Sequence, residues 1–96
     1  MSVLVIGGGI SGLACAYRLR QLGADVRLLE QSPRLGGVIQ SETTNGFQFD
    51  LGPQSFLSNE LSLKLVAELG LQDRMVQANP RAPRFVLVNG HLAPVP

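Results

Sequence analysis

Apolar positions change their period several times along the chain, and each change predicts an element. Val3-Leu4-Val5-Ile6 is an unbroken apolar run of strand length, so residues 2–6 read as a buried parallel strand. Glycine then interrupts the chain, and a helical pattern runs from 11 to 23 with Leu13, Ala14, Ala16, Tyr17 and Leu19 as its small-to-medium apolar face. Arg18, Arg20 and Gln21 fall on the water side, and Gly23 is placed to end the helix in a left-handed conformation. Residues 25–30, around Val26-Arg27-Leu28-Leu29, form the second strand, expected to lie parallel to the first.

Residues 31–46 lose any period and are punctuated by Pro33 and Gly36-Gly37. A short strand is expected over Val38–Ser41, and Phe47-Gln48-Phe49-Asp50-Leu51 alternates as a half-buried strand does. Asn45-Gly46 between them predicts a hairpin joining 38–43 to 47–51. Beyond the turn at Gly52-Pro53, Ser58 or Asn59 caps a second helix with Glu60 in its first turn. Leu61, Leu65, Val66 and Leu69 give that helix a core-facing stripe, and Gly70 ends it. Phe85-Val86-Leu87-Val88, then Asn89-Gly90, then His91-Leu92-Ala93 reads as a second hairpin.

Composition narrows the class. The chain has 96 residues, 45% hydrophobic and 16% charged, so it is expected to bury a core rather than remain disordered. Eight basic and seven acidic residues give a net charge of +1, and there is no basic run, which argues against nucleic-acid binding. Cys15 is the only cysteine, so an internal disulfide is impossible, and it reads as a small buried packing residue. His91, the only histidine, reads as solvent-facing. No metal cluster, catalytic triad, internal repeat, targeting segment or membrane span is visible, so the expected location is cytoplasmic, with peripheral membrane contact left open.

The candidate chemistry lies at the first glycine break. Gly7-x-Gly9-x-x-Gly12 follows a strand and opens a helix, the context that gives this dinucleotide fingerprint its meaning. Gly7 allows the sharp turn, Gly9 allows the backbone to approach a pyrophosphate, and Gly12 allows the helix to pack closely on the strand. Unpaired N–H groups of the first helical turn then face the phosphates, with the helix dipole behind them. Glu30, at the end of the second strand and eighteen positions after Gly12, is placed to accept hydrogen bonds from a ribose hydroxyl. Its charge also disfavours a 2′-phosphate, which makes NADP an unsuitable ligand.

A second glycine motif, Glu30-x-x-x-Arg34-x-Gly36-Gly37, resembles the flavin-containing amine oxidase superfamily. Gly46-Phe47-Gln48-Phe49-Asp50-Leu51-Gly52 is similar to that superfamily's next shared block. Gly52-Pro53-Gln54-Ser55-Phe56-Leu57 and the tail 85–96 resemble the protoporphyrinogen and coproporphyrinogen oxidases within it. The resemblance spans almost the whole chain. It departs at Val38, where many amine oxidases carry arginine, and this weakens a monoamine or polyamine oxidase reading.

The resemblance implies an α/β fold: a Rossmann-like FAD-binding βαβ unit with added β-hairpins. Residues 1–96 would be the incomplete N-terminal part of a larger FAD/NAD(P)-binding domain, with about 80–96 leading into a substrate domain. It implies FAD contacts at Gly7, Gly8, Gly9, Ile10, Ser11 and Gly12, at Glu30 and Gln31, at Val38, and at Gly52, Pro53, Gln54 and Ser55. Arg34 would lie near the phosphates, with Gly37 allowing close approach. The implied reaction removes hydride stepwise from a porphyrinogen, with flavin as acceptor and oxygen reoxidising it. No catalytic residue is named, because the pocket for the macrocycle would come from sequence outside this chain. Three other readings stay open: an amine oxidase or carotenoid desaturase-like enzyme, an NAD-dependent dehydrogenase, and a nucleotide-binding piece without turnover. The dehydrogenase reading leaves the second glycine motif without a role.

Overall fold

A computed structural model describes residues 1–95 and divides the chain into two units, Met1–Leu57 and a second beginning at Ser58. The first unit opens with β1 (Ser2–Ile6), α1 (Ile10–Gln21) and β2 (Asp25–Leu29). β1 and β2 pair in parallel with Val3 opposite Val26 and Val5 opposite Leu28. Along both strands exposure alternates, and Val3, Val5, Val26 and Leu28 are the half-buried positions. α1 packs on this pair and covers that face. Gly23 takes φ +88° just past the helix, as its position predicts.

The other face of the pair is bare: Leu4 is 54% and Ile6 73% exposed. The apolar run thus forms a strand as expected, but one covered on a single side. β3 (Ser41–Thr44) and β4 (Phe47–Asp50) follow as an antiparallel hairpin with Thr44 opposite Phe47. Asn45 and Gly46 both have positive φ, 52° and 79°, the conformation that a two-residue hairpin turn of matching twist requires.

The expected strand over Val38–Ser41 is corrected. β3 begins only at Ser41, because Ile39 is held in a turn: its N–H donates to the Gly36 carbonyl at 3.1 Å, and its own carbonyl accepts from Arg34. That N–H cannot also serve a strand ladder.

The second unit holds α2 (Glu60–Glu68), a short 3₁₀ turn (Gln72–Arg74), and the antiparallel pair β5 (Arg84–Val88) and β6 (His91–Val95). Asn59 caps α2. Its side chain accepts from the Ser62 N–H at 2.9 Å, while the Ser62 hydroxyl accepts from the Asn59 N–H at 2.9 Å, a reciprocal capping box. Asn89 and Gly90 repeat the Asn-Gly turn with φ 49° and 79°.

The expected core is also corrected. Among the described residues no hydrophobic side chain is buried, and Gly8 is the only buried residue. The stripe of α2 stays partly or largely exposed, with Leu61 at 75%. The reason is architectural: each sheet has two strands, and a parallel pair needs cover on both faces before its apolar side chains leave water. Cys15, expected to be buried, is exposed on α1. No described helix is long and apolar enough to cross a membrane.

Candidate dinucleotide site

The site grows from the carboxyl ends of β1 and β2, where open α/β sheets hold their ligands. Gly7 leaves β1 with φ +102°, and its N–H donates to the Leu29 carbonyl at 2.7 Å, so the corner is tied to the end of β2. A Cβ at Gly12 would overlap the Gly7 carbonyl oxygen and lie 3.5 Å from Val5 Cγ1. The helix therefore starts this close to the strand only because residue 12 has no side chain.

Gly9 is the helix N-cap and carries no capping side chain, unlike Asn59 on α2. The first-turn N–H groups of α1 have no intrahelical partner, and no acidic residue sits in that turn. A Cβ at Gly9 would meet nothing within 4 Å, because that direction is the open space beside the corner.

Glu30 closes the corner from β2. Its Oε1 accepts from the Gly8 N–H at 2.8 Å and its Oε2 from the Ser32 N–H at 2.7 Å. These two backbone bonds, Ser32 first, hold its carboxyl well below the ordinary value of 4.5, at about 2. The half-buried carboxylate is thus charged at neutral pH, and each oxygen keeps a lone pair for a further donor such as a sugar hydroxyl.

The second glycine motif forms the opposite wall. The Gly36 N–H donates to the Gly8 carbonyl at 2.8 Å, and Gly36 and Gly37 take φ +112° and +59°. A Cβ at Gly37 would come within 3.1 Å of Gly9 Cα, so the two glycine segments touch backbone to backbone. Between them lies a cleft of about 390 Å³, bounded by Ile6, Gly7, Gly9, Ile10, Ser11 and Gly12 on one side and by Gly36, Gly37 and Val38 on the other. That volume falls within the range of small-ligand sites.

Of the predicted positions, Gly8 and Glu30 stand behind this cleft as its frame. Gln31 is exposed beside them. Gly52 runs against Val38: a Cβ there would overlap the Val38 carbonyl oxygen, and Leu51 N–H donates to the Gln40 carbonyl at 2.8 Å. Pro53, Gln54 and Ser55 continue from that point as exposed irregular chain and do not line the cleft. Arg34, expected near the phosphates, donates through its fork to the carbonyls of Leu35, Gly37 and Ile39.

Sequence reasoning missed Ile6 and Gly36 as lining residues and Ser32 as the partner of Glu30. Gly36 was legible as half of the glycine pair. Ser32 was legible as a turn-forming serine two residues before Arg34, whose N–H it accepts at 3.3 Å.

The donor set fits a dinucleotide. Backbone N–H groups and a glycine-walled gap suit a pyrophosphate, and a fixed carboxylate suits a ribose. Among the described residues no group of three or more histidine, cysteine, aspartate or glutamate side chains could hold a metal ion.

Residues 5–69 match the family described as the NAD(P)-binding Rossmann-like domain. The chain is 42% identical over 97 residues to protoporphyrinogen oxidase 1, chloroplastic, of Arabidopsis thaliana, covering 97% of this chain and 18% of that protein. It is 41% identical over 101 residues to coproporphyrinogen III oxidase of Bacillus subtilis (strain 168), covering 98% and 21%. A crystal structure from Exiguobacterium sp. 255-15, provisionally assigned as a protoporphyrinogen oxidase, superposes with a TM-score of 0.81 at 32% identity, over 97% of this chain and 21% of that one. The chain thus spans about a fifth of the length of the relatives it matches. These matches bear out the resemblance read from Glu30–Gly37 and Gly52–Leu57. The chain belongs to the NAD(P)-binding Rossmann-like domain family, and the relatives it resembles along its length are the protoporphyrinogen and coproporphyrinogen oxidases.

Proposed function

We propose that this chain supplies the diphosphate-and-ribose half of an FAD site in a porphyrinogen oxidase. The observation that carries this reading is the Glu30 carboxylate, 2.8 Å from the Gly8 amide, with the Gly36–Gly37 turn facing it across Gly8. An NAD-dependent dehydrogenase would need the first glycine corner and Glu30 alone. Here the second glycine turn is built into the same cleft, which favours the flavoprotein reading. The bound flavin would supply hydride acceptance, drawing successive hydrides from a porphyrinogen, with oxygen as final acceptor.

The chain's own residues bind and orient. Gly9 leaves room for the pyrophosphate, and the N–H groups at 10–12 meet its charge. Glu30 takes the ribose hydroxyls and repels a 2′-phosphate. Val38 and Gly52–Ser55 carry the chain on toward the flavin. The macrocycle would be held by other parts of the protein, which is cytoplasmic or peripheral to a membrane in this reading.

A chimera tests it. Replacing the corresponding segment of the B. subtilis coproporphyrinogen III oxidase with residues 1–96 should give a protein that purifies with bound FAD and oxidises coproporphyrinogen III. Glu30→Ala in the chimera should lower FAD affinity roughly ten- to hundred-fold, the scale of a lost charge-assisted bond. A folded chimera without flavin would refute the assignment.

A further inference from the structure

The geometry points to Arg34 as a positioning residue that shapes the cofactor cleft by holding the Gly36–Gly37 turn, not as a ligand of the cofactor's phosphates. Its functional consequence rests on the dinucleotide reading above.

The guanidinium Nη1 donates to the Leu35 carbonyl at 2.9 Å and the Ile39 carbonyl at 3.1 Å, and Nη2 donates to the Gly37 carbonyl. Three carbonyls spread over five residues are thus gathered onto one planar fork. The turn they belong to is one that side-chain-bearing residues rarely form, with positive φ at both Gly36 and Gly37. A Cβ at Gly36 would come within 2.8 Å of Arg34 Nη1, so the guanidinium is seated in space that the missing side chain leaves.

The arginine's own backbone is anchored as well. Its N–H donates to the Ser32 hydroxyl at 3.3 Å, and that hydroxyl donates to the Arg34 carbonyl at 2.7 Å. Ser32 in turn donates its N–H to Glu30, and Glu30 accepts from Gly8. The Gly36 N–H returns to the Gly8 carbonyl at 2.8 Å. The bonds therefore run from Gly8 through Glu30 and Ser32 to Arg34, whose fork holds the carbonyls on either side of Gly36, while the Gly36 N–H returns to the Gly8 carbonyl. Gly8 is thus fixed from both sides, and the turn at Gly36 and Gly37 is held against Gly9.

Lysine cannot replace arginine here. An ammonium is a point charge without a planar fork, so it cannot serve three separated carbonyls in this arrangement. A phosphate contact would behave in the opposite way, because lysine is a good phosphate binder.

The test uses the coproporphyrinogen III oxidase chimera carrying residues 1–96, with Arg34→Lys and Arg34→Gln. The Gly36 amide should exchange its hydrogen at least about tenfold faster in both variants, the scale of one lost hydrogen bond. The Gly7 amide, bonded to Leu29, should keep its wild-type rate. With FAD as probe, both variants should bind more weakly by a similar factor. An unchanged Gly36 exchange rate in both variants would overturn the inference. So would wild-type FAD affinity in Arg34→Lys. Failure of the unsubstituted chimera to bind FAD would instead count against the cofactor reading, while the exchange result would still decide the role of Arg34.

Discussion

Gly9 and Gly12 lie three residues apart, yet substitution should have opposite effects at the two. At Gly9 the backbone has φ −77° and ψ −174°, a conformation any residue adopts, and an added Cβ meets nothing within 4 Å. Gly9→Val therefore adds no strain. Valine is a poorer N-cap than glycine, but it restricts the unfolded chain, so the net change in stability should stay within about 1 kcal/mol. The new side chain projects into the cleft where a pyrophosphate would lie, and FAD affinity should fall by at least about a hundredfold, or ~2.7 kcal/mol.

At Gly12 the added Cβ would overlap the Gly7 carbonyl oxygen. The start of α1 would have to move outward by about an ångström or more to restore ordinary contact, and overpacking of this kind costs about 1–3 kcal/mol. Measured in the chimera, that cost should appear as a lower Tm. Thermal unfolding followed by circular dichroism, together with fluorescence titration by FAD, reads both quantities. Gly9→Val should leave Tm nearly unchanged and abolish binding, whereas Gly12→Ala should lower Tm. A Gly9→Val chain that binds FAD as wild type does would refute the placement of the diphosphate. An unshifted Tm in Gly12→Ala would refute the packing argument.

Three further outcomes are expected. Glu30 titrates near 2 in the folded chain against an ordinary 4.5, so its contribution to the corner is present in full above about pH 4.5 and drains away as pH falls toward 2. Its carboxyl resonance should show that low midpoint by NMR, and a midpoint near 4.5 would mean the Gly8 and Ser32 bonds are not formed. Asn59→Ala removes the capping box of α2 and should cost about 1 kcal/mol of helix stability, seen as reduced helical ellipticity. Residues 1–96 alone should not oxidise a porphyrinogen, and measurable turnover by the isolated chain would contradict the division of labour proposed above.

Local features of the fold are legible in the sequence. The β1–α1–β2 unit follows from an apolar run, a glycine break and a helical stripe. Both hairpins follow from Asn-Gly pairs that accept positive φ, and α2 begins at Asn59 because a side chain there can satisfy orphan N–H groups. Each depends on preferences acting within a few residues, and those preferences are written in the residues themselves. The glycine fingerprint and Glu30 belong to the same class, since their spacing along a strand–helix–strand unit already places them at one edge.

What the tertiary structure decided depends on which groups meet across the chain. Glu30 bonds the amide of Gly8, twenty-two positions away, and gains its low pKa there. Arg34 offers donors that suit a phosphate equally well, and only the position of three carbonyls shows where they go. The strand expected at Val38–Ser41 was lost to that same turn. Composition predicted a buried core, but burial requires a partner for each apolar face. Two-stranded sheets leave Leu4 and Ile6 without one, and no periodicity in the sequence could reveal that.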